Sequence, residues 1–215
     1  MTNLLLVRHG QSVSNAGLPT VRPHLTELTA VGVEQARLTA AALPEPRLIA
    51  TSPFYRARAT AVPYIERWPA APCVEWPVQE FTFLDPSAWD GTTATERRPA
   101  GQAYWQRADP HFAASEGAES FALLLARADR VKRHALAFGE GPIVVFTHGL
   151  FSKVFIWRCA DPQADATVEG MARAREFARS FRFPNCGVVR VRLQPDGATS
   201  DPADTSHLPP ELTSD

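Results

Sequence analysis

Three short, unbroken apolar runs punctuate the chain: Leu4–Val7, Leu48–Ala50 and Ile143–Phe146. Runs of this length without polar alternation are the pattern of strands buried on both faces, as in a parallel sheet covered by helices. Val188–Leu193 alternates instead, with Arg190 and Arg192 between apolar residues, and predicts an edge strand. Elsewhere the period becomes helical. Apolar side chains at 124, 128, 131, 135 and 138 share one face of a helix over Phe121–Phe138, which Gly139 and Gly141 end. Thr29 is placed to cap a helix that runs to about Leu43 and stops at Pro44. Residues 150–158 predict a further apolar helix and 164–180 a polar, arginine-rich one. Strands alternating with helices predict an α/β fold, a three-layer sandwich whose central, mainly parallel sheet is flanked by helices.

Two segments break this rhythm. Residues 80–116 hold Trp89, Tyr104, Trp105 and Phe112 among Pro, Gly and Thr, and predict an inserted lid over the sheet. Residues 196–215 carry five acids, no Lys or Arg, and Pro202, Pro209 and Pro210, which predicts a flexible acidic tail. The expected organisation is one catalytic domain over 1–195, with the lid inside it and the tail beyond it.

Composition narrows the function classes. With 45% hydrophobic and 21% charged residues, the 215-residue chain can bury a sizeable core and is not disordered. A net charge of -1 gives no reason to expect nucleic acid or an anionic membrane as partner. Setting the tail aside leaves residues 1–195 with 18 acids against 22 bases, a mild bias that suits a small anionic substrate. No apolar run approaches a membrane span, and the N-terminal run of four is too short for a signal peptide. Cys73, Cys159 and Cys186 are odd in number and form no CxxC pair, so free, buried thiols in a reducing compartment are expected. The expectation is a soluble cytoplasmic protein, monomer or homodimer, acting on a small molecule.

The chemistry lies at the strand ends, where ligands of open parallel sheets bind. The first strand runs into Arg8-His9-Gly10, the second into Thr51-Ser52 with Arg56 a turn later, and the third into Thr147-His148-Gly149. If the sheet forms as read, two imidazoles and two guanidiniums meet in one crevice. Arginine forks hold a tetrahedral phosphate by paired hydrogen bonds. Gly10 and Gly149 let backbone N–H groups approach the anion, and Ser12 and Asn15 add neutral donors. One histidine, unprotonated at the attacking nitrogen, can serve as nucleophile on phosphorus while the other neutralises charge. No metal-ligand spacing such as HExxH is present, and no metal or organic cofactor is expected. Cys186 and Arg192 satisfy C-x5-R, but the three valines between them favour extended strand over a phosphate-wrapping loop.

Arg8-His9-Gly10 with Asn15 resembles the RHGxxxxN motif of the histidine phosphatases, the phosphoglycerate mutase superfamily. Leu28-Thr29-x-x-Gly32-x-x-Gln35-Ala36, Ser52-x-x-x-Arg56-Ala57-x-x-Thr60-Ala61, Glu119-Ser120-Phe121, Thr147-His148-Gly149 and Asn185 continue the resemblance in order, from residue 4 to about 193. It implies a phosphatase that works through phospho-His9, with Arg8, Arg56 and His148 holding the equatorial oxygens and Asn15 and Gly149 at the phosphate. A carboxylic acid protonates the leaving oxygen and then activates water; Glu80 matches best, with Asp85 and Asp90 as alternatives. Mutases that resemble this family have a Trp-Asn pair after RHGxS, where this chain has Val13-Ser14-Asn15. Phosphoryl transfer as a mutase, and silent binding of a phospho-ligand, are therefore secondary expectations. His24 at the pocket mouth, and Arg97, Arg98 and Arg107 against a second anionic group, are further candidates.

Overall fold

The computed structural model describes all 215 residues. Its central strand is β1 (Thr2–Arg8), which pairs in parallel with β4 (Ile143–Thr147) and antiparallel with β5 (Val188–Gln194). β2 (Leu48–Thr51) pairs in parallel with β4 and with the short β3 (Cys73–Glu75), and β6 (Gly197–Ser200) closes the other end. The order is β3-β2-β4-β1-β5-β6.

Both faces of β1 are covered, which is why its sequence does not alternate. Leu4 and Leu6 enter the larger core with α4 (Phe121–Phe138), α5 (Gly149–Ala160) and α6 (Val168–Ser180). Leu5 and Val7 enter a smaller core on the opposite face, with α1 (Ala30–Ala42) and α2 (Tyr55–Arg67). These are the three layers the sequence predicts. Thr29 caps α1 as expected, its Oγ1 accepting from Gly32 N, and at the start of α4 Ser120 Oγ accepts from Leu123 N. No helix is long and apolar enough to cross a membrane.

Several expectations need correction. β5 is not an edge strand; β6 pairs along its outer side. Its alternation reports one covered face, with Val189, Val191 and Leu193 buried and Arg190 exposed, and says nothing of its place in the order. The acidic tail is folded. Beyond β6, Asp204 bridges Val188, Leu208 is buried, and the Ser214 carbonyl accepts from Asn185 N. Two of its five acids pair with arginines outside it, Arg192–Asp201 at 2.7 Å and Arg182–Asp215 at 3.4 Å. Cys73 is exposed on β3 rather than buried.

Residues 80–116 contain an unforeseen helix, α3 (Ala94–Arg107), opened by a capping box between Thr93 and Glu96. Tyr104 is its only buried residue, so no apolar period announced it. Phe81, Phe83, Tyr104 and Trp105 cluster with ring centroids 4.8–6.3 Å apart, and Trp105 reaches Phe121 of α4. This local core holds the segment beside the strand ends.

Candidate active site

The parallel register of β1 and β4 brings the two histidines together across 139 positions. Arg8 lies opposite Thr147, His9 N donates to Thr147 O at 2.9 Å, and the His9 and His148 ring centroids are 5.1 Å apart. The loop after β1 crosses the first turn of α1 backbone to backbone. A Cβ on Gly10 would stand 2.5 Å from Gly32 O, and one on Gly32 would stand 2.1 Å from Gln11 O, so neither position accepts a side chain. Gly10 N donates to Thr60 Oγ1 and Gln11 N to Gln35 Oε1. Gln35 is held in turn through Nε2 by Leu212 O and Ser214 Oγ. Asn185 Nδ2 donates to His9 O. Thr60, Gln35 and Asn185 thus clamp the loop from behind, and the tail braces two of them.

His9 is 4% exposed. Its Nδ1 lies 2.8 Å from the Gly10 carbonyl, which can only accept, so Nδ1 carries the proton. The lone pair is then on Nε2, where Arg56 Nε donates to it at 3.0 Å. Arg56 is anchored by donation to Pro23 O at 2.7 Å and lies 5.2 Å from the Phe54 ring. Burial, aided by the charges of Arg56 and Arg8, holds His9 well below the usual histidine range. Burial also brings Arg56 down to about 10, against the pull of Glu80. His148 is fully buried; burial first, then the charges of Arg56 and other neighbours, holds it well below its ordinary value too.

Both imidazoles are therefore neutral in the fold and chargeable in the unfolded chain. Below about pH 6.5 the unfolded state binds protons that the native state does not, so stability falls as pH falls through that value and is unaffected by these groups above it. Each histidine should remove about 1.4 kcal/mol per pH unit in that window. Urea unfolding at pH 7.5 and 5.5, compared between wild type and His148→Gln, checks this: the variant should lose less stability over the interval.

His148 Nε2 meets Ser52 Oγ at 2.8 Å, and Ser52 Oγ accepts from Phe54 N. When the serine donates to Nε2, the His148 proton sits on Nδ1. That Nδ1 is buried without a protein partner, as is Arg8 Nε. Such groups are costly unless paired. The remaining Arg8 contact is Nη1 to Phe183 O. Asn15 Oδ1 accepts from Ser12 N, Ser12 Oγ and Asn185 Nδ2, leaving the Asn15 amide nitrogen to the cleft. Gly149 is off the cleft wall; a Cβ there would lie 3.3 Å from Arg8 Nε, so its bare surface is where that guanidinium packs.

Glu80 stands at the start of α5. Its Oε1 accepts from Phe151 N at 2.8 Å and from Phe81 N, and its Oε2 from Leu150 N at 3.1 Å, a carboxylate seated on a helix N-terminus. Arg127 positions this segment through Pro77 O and Gln79 O, itself fixed by a bidentate pair with Glu119. Asp85 also lines the cleft, but its Oδ1 caps Ser87, which holds its carboxyl below the usual carboxylate range. Asp90 accepts from Arg22 N and is off the wall.

The family model for the histidine phosphatase superfamily (branch 1) matches residues 4–202. The chain belongs to the histidine phosphatase superfamily. No curated protein matches its sequence. Solved structures with the same fold include the α-ribazole phosphatase from Shigella flexneri, at 21% identity and TM-score 0.70 over 95% of this chain and 96% of that one. The mycobacterial glucosyl-3-phosphoglycerate phosphatase in complex with VO3 is similar at 23% identity and TM-score 0.72, over 94% and 98%. A phosphoserine phosphatase variant from Entamoeba histolytica with phosphoserine matches at 19% and 0.71, over 97% and 100%.

In this member of the superfamily the candidate residues Arg8, His9, Asn15, Arg56 and Glu80 line one cleft of about 760 Å³, with His148 buried behind His9. Arg97 and Arg98 are on its wall as expected, whereas Arg107 lies 3.9 Å from the Phe112 ring and near Asp109, away from it. His24 is exposed beside Pro23 and is not on the cleft wall. Cys186 and Arg192 do not converge: the thiol is fully buried and pushed up to about 12 by burial, and Arg192 pairs with Asp201. Sequence reading missed the clamps Thr60 and Gln35, although both stood in recognised motifs, and missed Arg175 and Arg179, which α6 turns into the cleft.

Proposed function

We propose that this histidine phosphatase hydrolyses a small phosphomonoester through a covalent phosphohistidine on His9, in the cytoplasm. The observation that carries the reading is the unprotonated Nε2 of His9, met by Arg56 in the cleft that Arg8 and Glu80 line. The lone pair of Nε2 attacks phosphorus in line, and the bond from phosphorus to the leaving oxygen breaks. Arg56 transfers its hydrogen bond from Nε2 to a phosphoryl oxygen, and Arg8 and the His148 Nδ1–H meet the others. Glu80 gives its proton to the leaving oxygen. As a carboxylate it then takes a proton from water while that oxygen attacks phosphorus. The P–N bond breaks, its electron pair returns to Nε2, and inorganic phosphate leaves. Hydrolysis is favoured over mutase transfer because the similar structures are named as phosphatases and no Trp follows the Arg8-His9-Gly10 loop.

The test is acid-quench trapping during turnover of an aryl phosphate, with the modified residue located by mass spectrometry. An acid-labile phosphoryl group on His9 is expected; turnover with no such group, or a group on Cys186, overturns the reading. The role of Glu80 is checked separately. Glu80→Gln should slow hydrolysis of an alkyl phosphate by about 10²-fold, but much less that of p-nitrophenyl phosphate, whose leaving group needs no proton. Asp85→Asn should leave both rates within about twofold.

A further inference from the structure

The arginines of α6 divide into two kinds. Arg173 is ion-paired with Asp161 at 3.4 Å and Asp165 at 3.8 Å. Arg175 and Arg179, one turn apart on the cleft side, have no carboxylate partner, and the guanidinium of Arg175 lies 5.7 Å from the Trp105 ring. Like charges at this spacing destabilise a helix. Burial and the neighbouring charge of Arg179 lower the proton affinity of Arg175.

Arg97 and Arg98 of α3 line the same cleft. Arg97 donates to Thr92 O, Thr92 Oγ1, Thr20 Oγ1 and Ser14 Oγ. These acceptors are all neutral, so they fix the guanidinium without cancelling its charge. The acids on the cleft wall are Glu80, seated on the backbone of α5, and Asp85, committed to Ser87. The four arginines are half-buried or exposed, nearer to solvent than His9 and Arg56. The cleft is therefore positive twice: at its floor, where the phosphoryl chemistry is assigned, and again towards its mouth, beside the Trp105 ring.

We propose that Arg175 and Arg179, which line the cleft together with Arg97 and Arg98, form a second anion subsite, and that the substrate is a phosphomonoester whose alcohol part carries a further anionic group. This rests on the reading of His9 as phosphoryl acceptor. Guanidinium forks on two elements suit a carboxylate or a second phosphate by charge-assisted hydrogen bonds, and Trp105 offers an apolar face to the connecting carbon skeleton.

Binding can be measured without turnover by calorimetry with benzylphosphonates. The para substituent would be ethyl, aminoethyl, or a carboxylate on one, two or three methylenes, so that the series spans the reach of the cleft. At least one carboxylate arm should bind about tenfold tighter than the ethyl compound, and the ammonium compound more weakly. In the Arg175→Gln/Arg179→Gln variant that advantage should vanish while the ethyl compound binds as before. Arg130→Gln/Arg133→Gln on α4 controls for net charge. No advantage for any arm in the wild type overturns the subsite, as does an advantage that survives in the α6 variant or disappears in the control. Aryl phosphates run alongside separate the two readings. Phospho-His9 turnover without a carboxylate preference sinks the subsite alone, and a preference without turnover sinks the catalytic reading alone.

Discussion

Replacing His9 with alanine is expected to lower turnover of a phosphomonoester by about 10⁴-fold or more and to abolish trapping of the phosphoryl group. In the proposed mechanism the side chain supplies the attacking electron pair, and no second nucleophile replaces it. His148 is the nearest candidate, but it is fully buried, with its Nε2 on Ser52. Cys186 is buried with its thiol pushed up to about 12, so thiolate is scarce at neutral pH. The loop should survive the substitution, because its clamps act on the backbone of His9, Gly10 and Gln11 and not on the ring. The variant should therefore still bind inorganic phosphate through Arg8 and Arg56. Calorimetry with phosphate, beside steady-state and quench-flow rates, checks both halves; retained turnover, or lost folding with lost binding, would contradict the assignment.

Arg56→Ala carries the second large effect, a loss of about 10³-fold in kcat/KM. It removes a donor from the phosphoryl group, and it also removes one of the two charges that, with burial, keep His9 neutral. The sign of the pH effect follows. Without Arg56 the imidazolium costs less, His9 protonates at higher pH, and the acidic limb of kcat/KM moves upward towards the ordinary histidine value. Arg56→Lys restores charge but not the geometry in which Nε meets His9 while Nη1 holds Pro23, so it should recover the pH limb more fully than the rate. A pH–rate series on the three proteins separates these effects; an unshifted limb in Arg56→Ala would show that burial alone sets the state of His9.

The sheet and the floor of the site were legible for the same reason. Leu4–Val7 and Ile143–Phe146 are apolar without alternation because helices cover both their faces, and once they are strands, Arg8-His9 and Thr147-His148 must emerge side by side. What stayed hidden depended on partners far away in sequence. α3 is polar around nearly its whole surface and is held by Tyr104 against Phe81 and Phe83, so no period announced it. The order of the tail is invisible locally because Arg192 and Arg182, which pair with two of its acids, lie outside it. Arg175 and Arg173 are indistinguishable as letters; the direction in which α6 turns each of them decides which is ion-paired and which faces the cleft. Glu80 differs from Asp85 and Asp90 in accepting from the amides of Leu150 and Phe151, a contact across 70 positions.

The placement of β1 bears on the order in which the molecule becomes active. The strand that delivers His9 is bordered by β4 and β5, both from the second half of the sequence, while β2, the next strand along the chain, reaches it only through β4. Closing loops of that length is entropically costly and slow. A fragment ending before α4 would carry Arg8, His9, Arg56 and Glu80 yet lack β4, the strand that joins β1 to β2. In refolding, phosphate binding should therefore appear with the last kinetic phase, after the helical signal has largely returned.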